Sequence, residues 1–421
     1  MPHSREVVVT GLGAVCPLGI GREAVWASLS TGQSGVRLIP EFAGNDLPFR
    51  HAGLIEGFEP KEYVQPRKTL KVMSGEIQAA FSAAMLALQD AGLAKDAVAP
   101  ERLGVVLGSE MLYGELPELA DSYRHCVIEG VFHHELWAEQ VMKNLFPLWM
   151  LKYLPNMAAC HIGIASDARG PNNSIVEGGA SSLLAFLEAS QAIIRGHADV
   201  MICGGSGSSV TMGALTFRGW KQLSQWTGPA DETPRPFDAR RDGIVPGEGA
   251  GMYILEAREH AEARGAKILA RLLGGSQLFE ASVAGQPRRG TAIAGTITAA
   301  LAQANIQPRD VGFVSASASG SLEGDAVEAQ AIERTLGGVP VTAFKSYFGD
   351  IGAGSGSVEL LASILALENV RVPPTKNYSA ADKACPVNVV TGEPLTLDKP
   401  VLLALNQSTT GQAAAVVLAA P

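Results

Sequence analysis

Cysteine is scarce in this chain. Its 421 residues hold five, Cys16, Cys126, Cys160, Cys203 and Cys385, with no C-x-x-C spacing among them. That argues against a zinc ribbon or a disulfide framework, and the thiols read as reduced and buried. Basic charge is short too: 33 Lys and Arg against 42 Asp and Glu leave a net charge of -9. Nucleic acid is a poor partner for such a chain, because phosphates call for a concentrated basic face. No apolar run reaches membrane-spanning length, and Met1-Pro-His-Ser-Arg-Glu leads into a strand pattern without the basic and apolar regions of a signal peptide. The expectation is a cytoplasmic protein without membrane, metal or cofactor. What is abundant is apolar residue (47%) and glycine (47 residues), enough for one large core or two fused ones with many close backbone approaches.

The grammar is strand then helix, repeated. Val7-Val-Val-Thr-Gly-Leu-Gly reads as a buried strand ending in a glycine turn, and Leu103 to Ser109 and Val200 to Gly205 repeat the pattern. Ser74 to Gly92 and Ala180 to Gly196 read as helices between them. The second half restarts at Lys267, with a helix from about Gly290 to Asn305, a strand from Val311, a helix from Asp325 and a strand over Val341 to Lys345. Two halves of like grammar point to an internal duplication. Neither Gly11-Leu-Gly nor Gly104-Val-Val-Leu-Gly completes a dinucleotide fingerprint.

The helix after Ala180 is apolar on nearly every face (Leu183, Leu184, Ala185, Phe186, Leu187, Ala192, Ile193, Ile194), so it belongs inside the protein. A buried helix start focuses unpaired N–H groups and positive dipole on whatever lies there, which lowers a thiol pKa or holds an oxyanion. Gly179 stands at that point and has no side chain.

Three stretches carry a family resemblance. These are Val9-Thr-Gly-Leu-Gly-Ala-Val-Cys-Pro-Leu-Gly, Gly170-Pro-Asn before Gly179, and Arg235-Pro-Phe-Asp-Ala-Arg-Arg-Asp-Gly-Ile-Val-Pro-Gly-Glu-Gly-Ala-Gly251. Along essentially its whole length the chain resembles the β-ketoacyl-acyl carrier protein synthases, condensing enzymes of the thiolase fold. The resemblance implies an α/β fold of two duplicated βαβαβαββ halves in a layered α-β-α-β-α core. The halves are expected over 1–258 and 259–421, with an insertion at about 110–155 near the dimer interface and acyl tunnel.

Residue by residue, the active site of that family is not reproduced. Where active relatives place Thr-Ala-Cys, with cysteine as acyl acceptor, this chain has Gly178-Gly179 after Glu177. Their His-Gly-Thr motif falls on Ser315-Ala-Ser-Ala-Ser-Gly-Ser-Leu-Glu-Gly-Asp325, with Ser317 at the histidine and with Asp325 and Glu328 kept. Their Lys-Ser and Gly-His pair falls on Lys345-Ser-Tyr-Phe-Gly-Asp350, with Asp350 at the second histidine and Lys345 and Glu359 kept. None of the eight histidines lies within ten residues of either motif. The gating Gly-Phe-Gly-Gly turn is replaced by Asn406-Gln-Ser-Thr-Thr-Gly-Gln-Ala413.

Two readings follow. One is a non-condensing subunit similar to the chain length factors of polyketide synthases, which usually carry glutamine where this chain has Gly179. It would pair with an active ketosynthase or with itself, shape or gate an acyl tunnel in fatty acid or polyketide synthesis, and meet an acyl carrier protein at Arg67, Lys68 and Lys71. Those residues also read simply as a solvated helix face. The other is an acyltransferase or hydrolase with relocated chemistry, in which Glu177, Ser181, Ser182, Ser317 and Asp350 converge on the old pocket. Against it, Ser181 and Ser182 also read as packing the first helical turn. His125, Cys126, His133 and His134 with Glu129 and Glu135 match no metal-ligand spacing. Aromatic packing is expected between Tyr113 and Tyr153, among Tyr123, Phe132, Trp137, Phe146 and Trp149.

Overall fold

A computed structural model describes residues 5–39, 49–94, 96–110, 114–281 and 288–421. His3 and Tyr113 lie outside the described residues. Ten strands and six helices form the frame. In chain order they are β1 (Val7–Cys16), α1 (Gly75–Asp90), β2 (Leu103–Gly108), α2 (Met157–Ser166), β3 (Asn172–Ile175), α3 (Ser181–Ile194), β4 (Val200–Ser208) and β5 (Glu248–Ala257), then β6 (Ala270–Phe279), α4 (Thr291–Ala304), β7 (Phe313–Ser315), α5 (Leu322–Leu336), β8 (Pro340–Thr342), α6 (Ser355–Glu368), β9 (Val401–Gln407) and β10 (Gln412–Ala419).

The duplication is visible in the pairing. The first half orders its strands β3-β2-β4-β5-β1 and the second β8-β7-β9-β10-β6, which is the same permutation. In each, the first three strands run parallel and the last two joins are antiparallel. A short antiparallel contact, Val8 to Arg271 and Val9 to Ala270, joins the halves. Helices α1 and α2 cover the outer face of the first half and α4 the outer face of the second, with α5 packed on α4. Helices α3 and α6 lie between, touching strands of both. This is the layered α-β-α-β-α core.

Local sequence explains these placements. Along β1 the residues facing the middle layer are Val7, Val9, Leu12, Ala14 and Cys16. The step of three between Val9 and Leu12 marks a bulge in the pairing with β5, since one extra residue flips a two-residue alternation. The glycines beyond the bulge do not form the expected turn, because β1 continues to Cys16. They let α1 approach: a Cβ on Gly11 would lie 2.3 Å from the Ala87 carbonyl oxygen and one on Gly13 2.0 Å from that of Ala83.

Other boundaries shift by a few residues. α5 starts at Leu322 rather than Asp325, because Ser321 caps it by accepting the Gly324 N–H at 3.1 Å. The strand before Lys345 ends at Thr342, and Lys345–Phe348 is a short helix. The insertion forms helices Leu116–Cys126 and Trp137–Asn144 around a hairpin at Val127–Phe132.

Candidate functional site

The middle layer sets up the site. α3 and α6 are equivalent elements of the two halves, and each is preceded by a tight turn, Gly178–Ala180 and Gly352–Gly354. Each turn opens on a glycine in the left-handed region, Gly178 at φ 54° and Gly352 at φ 69°. The two turns pack against each other, so two buried helix N-termini meet at one place. In front of them lies a cavity of about 450 Å³ lined by Gly179, Ser317, Lys345, Asp350, Gln407 and Ser408 among others. Three distant sequence segments thus line one cavity.

The wall of the cavity is a buried polar network. Lys345, 3% exposed, donates to the Ser317 carbonyl at 2.8 Å, to Ser317 Oγ at 3.3 Å and to Glu359 Oε1 at 2.8 Å. Burial works to lower its pKa, but the carboxylates of Glu359 and Asp350 outweigh it and hold the ammonium charged. Glu359 also accepts from Asn406 Nδ2 at 3.0 Å. The Ser317 N–H donates to Glu328 Oε1 at 2.8 Å. Burial pushes the Glu328 carboxyl up to about 8, with Asp325 and Glu359 adding to the rise and the Ser317 N–H and Lys345 opposing it.

Asp350 is occupied as well, because its Oδ1 accepts the Gly352 N–H at 2.7 Å and the Ser355 hydroxyl at 3.1 Å. The lining also holds Asp242, Glu323 and Asp325 with Lys221 and Arg288, so charges of both signs face the cavity around the fixed Lys345 ammonium. The Ser317 oxygen faces an ammonium and not a base, so nothing drawn from these groups activates it as a nucleophile.

The stretch Arg235–Gly251 braces the surroundings. Asp325 accepts N–H bonds from Phe237, Ser319 and Gly320, each at 3.0 Å. Arg241 binds the Ser321 and Leu322 carbonyls and pairs with Asp382. The Asp350 backbone bonds both Val245 and Gly247. Asp325 and Glu328 therefore hold loops, Asp325 while lining the cavity.

The expected convergence of Glu177 and Ser181 on the pocket does not occur. Glu177 is exposed and lines a separate groove beside β3 and α3, because the left-handed turn at Gly178 carries the chain away from the cavity. Ser181 is fully buried; its Oγ accepts the Glu177 N–H at 2.8 Å and donates to the Ser109 carbonyl. Ser182 donates to the Ala353 carbonyl. Both serines pack the first turn of α3. The stretch from Asn406, expected in place of the gating turn, supplies Gln407, whose carbonyl closes over Gly179; that particular contact appears only with β9 packed on the turn 178–180.

Arg67, Lys68 and Lys71 are exposed on a 3-10 turn, Arg67–Val72, just before Ser74 caps α1. Among the described residues no carboxylate pairs with them. In the insertion, Tyr123 stacks with Trp137 and Phe132 at 4.8 and 5.8 Å. His125 bonds the Asp121 carbonyl and His133 bonds Glu135. Among the described residues no three His, Cys, Asp or Glu side chains are grouped as for a metal ion, and no helix is long and apolar enough to cross a membrane.

A duplicated, five-layered core with a polar cavity where two central helices begin defines a protein of the thiolase-like class. Within that class, the N-terminal domain of beta-ketoacyl synthases matches residues 4–261 and their C-terminal domain residues 272–379; the chain belongs to the beta-ketoacyl synthase family. It is 33% identical over 393 residues to 3-oxoacyl-[acyl-carrier-protein] synthase 2 of Vibrio cholerae, covering 92% of each chain. Among solved structures it is similar to the ishigamide ketosynthase/chain length factor, with a TM-score of 0.87, 27% identity and coverage of 99% of this chain and 100% of that one. It is also similar to a type II polyketide synthase acyl carrier protein complex with its ketosynthase bound to the hexaketide, with a TM-score of 0.84, 28% identity and full coverage of both.

Proposed function

We propose that this chain is a non-condensing ketosynthase-like subunit of a fatty acid or polyketide synthase, which pairs with an active ketosynthase, binds an acyl group at the Gly179 cavity and acts without a cofactor in the cytoplasm. The observation that carries this reading is the state of the cavity: no thiol at Gly179, Ser317 beside a fixed ammonium, and Asp350 Oδ1 held by its own loop. Condensation needs a nucleophile that takes the acyl group and donors that stabilise the decarboxylating partner. Loss of a nucleophile and its base costs on the order of 10⁶ in rate in the best-measured triad. Gly179, Ser317 and Asp350 stand at the three catalytic positions of the family in this reading.

Pairing has support on the surface. β3 is an edge strand bonded only to β2, with Asn172 and Asn173 exposed, and such an edge invites a second strand. The insertion exposes Val127, Ile128, Val131, Phe132, Met142 and Phe146, the kind of apolar patch that marks an interface. The likeness to a ketosynthase/chain length factor favours an active partner over a second copy of this chain. The exposed cations at Arg67, Lys68 and Lys71, paired with no carboxylate among the described residues, suit an acidic carrier protein, and we read the two halves as 1–258 and 259–421. Relocated chemistry loses ground with Glu177 outside the cavity.

Co-expression with a ketosynthase that keeps its cysteine tests the proposal. Copurification, with product lengths that change when cavity residues of this chain are altered, is the expected result. A stand-alone homodimer that turns over acyl thioesters unaided would sink it.

A further inference from the structure

The turn between β9 and β10, which replaces the gating turn, joins the Gly179 cavity to the surface. Arg288 lines that cavity and donates to the Ser408 carbonyl of the turn at 2.7 Å. The end of β6 is bonded to the same turn: Phe279 pairs with Gln412, and the Glu280 N–H donates to the Gly411 carbonyl at 3.0 Å. Phe279 is 60% exposed and belongs to no core cluster, although its ring edge lies 3.6 Å from where a Cβ on Gly411 would stand. An aromatic ring is thus held at the surface beside the turn that Arg288 grips.

More cations follow outside the cavity. Arg289 is exposed, and Arg334, exposed on the last turn of α5, donates to the Arg289 carbonyl at 3.0 Å. Three arginines are gathered there, and among the described residues none of them is ion-paired. The nearest carboxylates are otherwise engaged or exposed. Glu280 is turned into the loop, accepting the N–H groups of Arg289 and Thr291 at 2.6 Å each and of Ala292 at 3.3 Å. Glu333, beside Arg334, and Glu323, in the cavity lining, are exposed. A guanidinium without a carboxylate presents a fork of donors that fits a phosphate, and an exposed aromatic face fits a purine.

We propose that this rim takes the adenosine-phosphate end of a coenzyme A thioester whose acyl end enters the Gly179 cavity. Arg288, Arg289 and Arg334 hold the phosphates, and Phe279 stacks on the adenine. The lining hydroxyls of Ser319, Ser321 and Thr409 meet the amides of the pantetheine arm between them. A carrier-borne arm brings one phosphate and no base, which leaves Phe279 and part of the arginine group without a role. Coenzyme A brings a pyrophosphate, a 3′-phosphate and a base. The substrate class is therefore an acyl-coenzyme A, taken up without a carrier protein. This inference rests on the reading of the Gly179 cavity as an acyl site.

The test is calorimetric titration of the full chain, at low ionic strength, with butanoyl-pantetheine, butanoyl-4′-phosphopantetheine and butanoyl-coenzyme A. One charge-assisted hydrogen bond or one stacked base is worth about tenfold in affinity. The coenzyme A thioester is expected to bind at least about tenfold tighter than the phosphopantetheine probe and about a hundredfold tighter than the pantetheine probe. R289A/R334A and F279A, both changes of exposed side chains, are each expected to weaken the coenzyme A thioester about tenfold. A phosphopantetheine probe that binds as tightly as the coenzyme A thioester assigns the arginines to a carrier-borne arm and overturns the proposal. Unchanged coenzyme A affinity in either variant overturns it too, and both results leave the acyl site standing. Native protein that binds none of the three probes overturns the acyl site as well.

Discussion

The carbonyl oxygen of Gln407 lies 2.7 Å from where a Cβ on Gly179 would stand. That separation is shorter than side chains tolerate, and the obstacle is backbone at the end of β9, which does not swing aside. The glycine is thus built into the packing of the chain that closes over it. Gly179→Cys is expected to cost about 1–3 kcal/mol in a urea titration, the usual range for overfilling a packed site. It should also yield no condensation product from acyl and malonyl carrier protein, because Ser317 and Asp350 supply no base. A condensing single mutant would overturn the account of this cavity.

Glu328 gives a pH signature. Its folded pKa of about 8 lies above the ordinary 4.5, so the native state holds a proton that the unfolded state has released between those values. Stability is therefore fully present below about pH 4.5 and drains away as pH rises through 8. Glu328→Gln keeps an oxygen to accept the Ser317 N–H and removes the titration. The variant should gain on the native protein in urea midpoint from pH 6 to pH 9, and parallel curves over that span would refute the assignment.

Much of this was legible in the sequence because it is local or periodic. The apolar run from Leu183 to Ile194 placed α3 inside, and the repeated strand and helix signals anticipated the two halves. The three segments around Gly179, Ser317 and Asp350 were found through family motifs, and the fold brings them to one cavity. What failed was direction and distance. Glu177 stands two residues from Gly179, yet the left-handed Gly178 between them turns it to another face. Gln407 and Glu110 lie against Gly179 and Gly352 across long sequence separations; a family motif placed the stretch around Gln407 near the site, but no local pattern announces which atoms meet. Gly11 and Gly13 looked like a turn because closeness to a helix and the end of a strand leave the same mark in sequence.

The exposed run at Arg67, Lys68 and Lys71 should govern encounter with an acidic carrier protein. Reversing charge in the double variant K68E/K71E is expected to lower carrier-protein affinity at least about tenfold at low ionic strength, mostly through association rate, with the difference shrinking as salt is added. Stability should not change, since none of the three has an ion-pair partner to lose among the described residues. Unchanged binding in a titration removes the patch from the proposal.

The insertion hairpin bears on assembly. Ile128 and Val131 are 49% and 61% exposed, and nothing in the chain's own core demands that two β-branched residues stand side by side in solvent. An interface does, since apolar residues at its centre lose their water on association and charged ones cannot do so cheaply. The double variant I128D/V131D is expected to leave the fold intact, because among the described residues those side chains belong to no core cluster. In the proposed pairing it is expected to abolish copurification with a ketosynthase and to lower the sedimentation coefficient of the assembly, with the unfolding midpoint measured at high dilution unchanged. Undiminished pairing with both carboxylates in place would remove the hairpin from the proposed interface and leave the β3 edge alone.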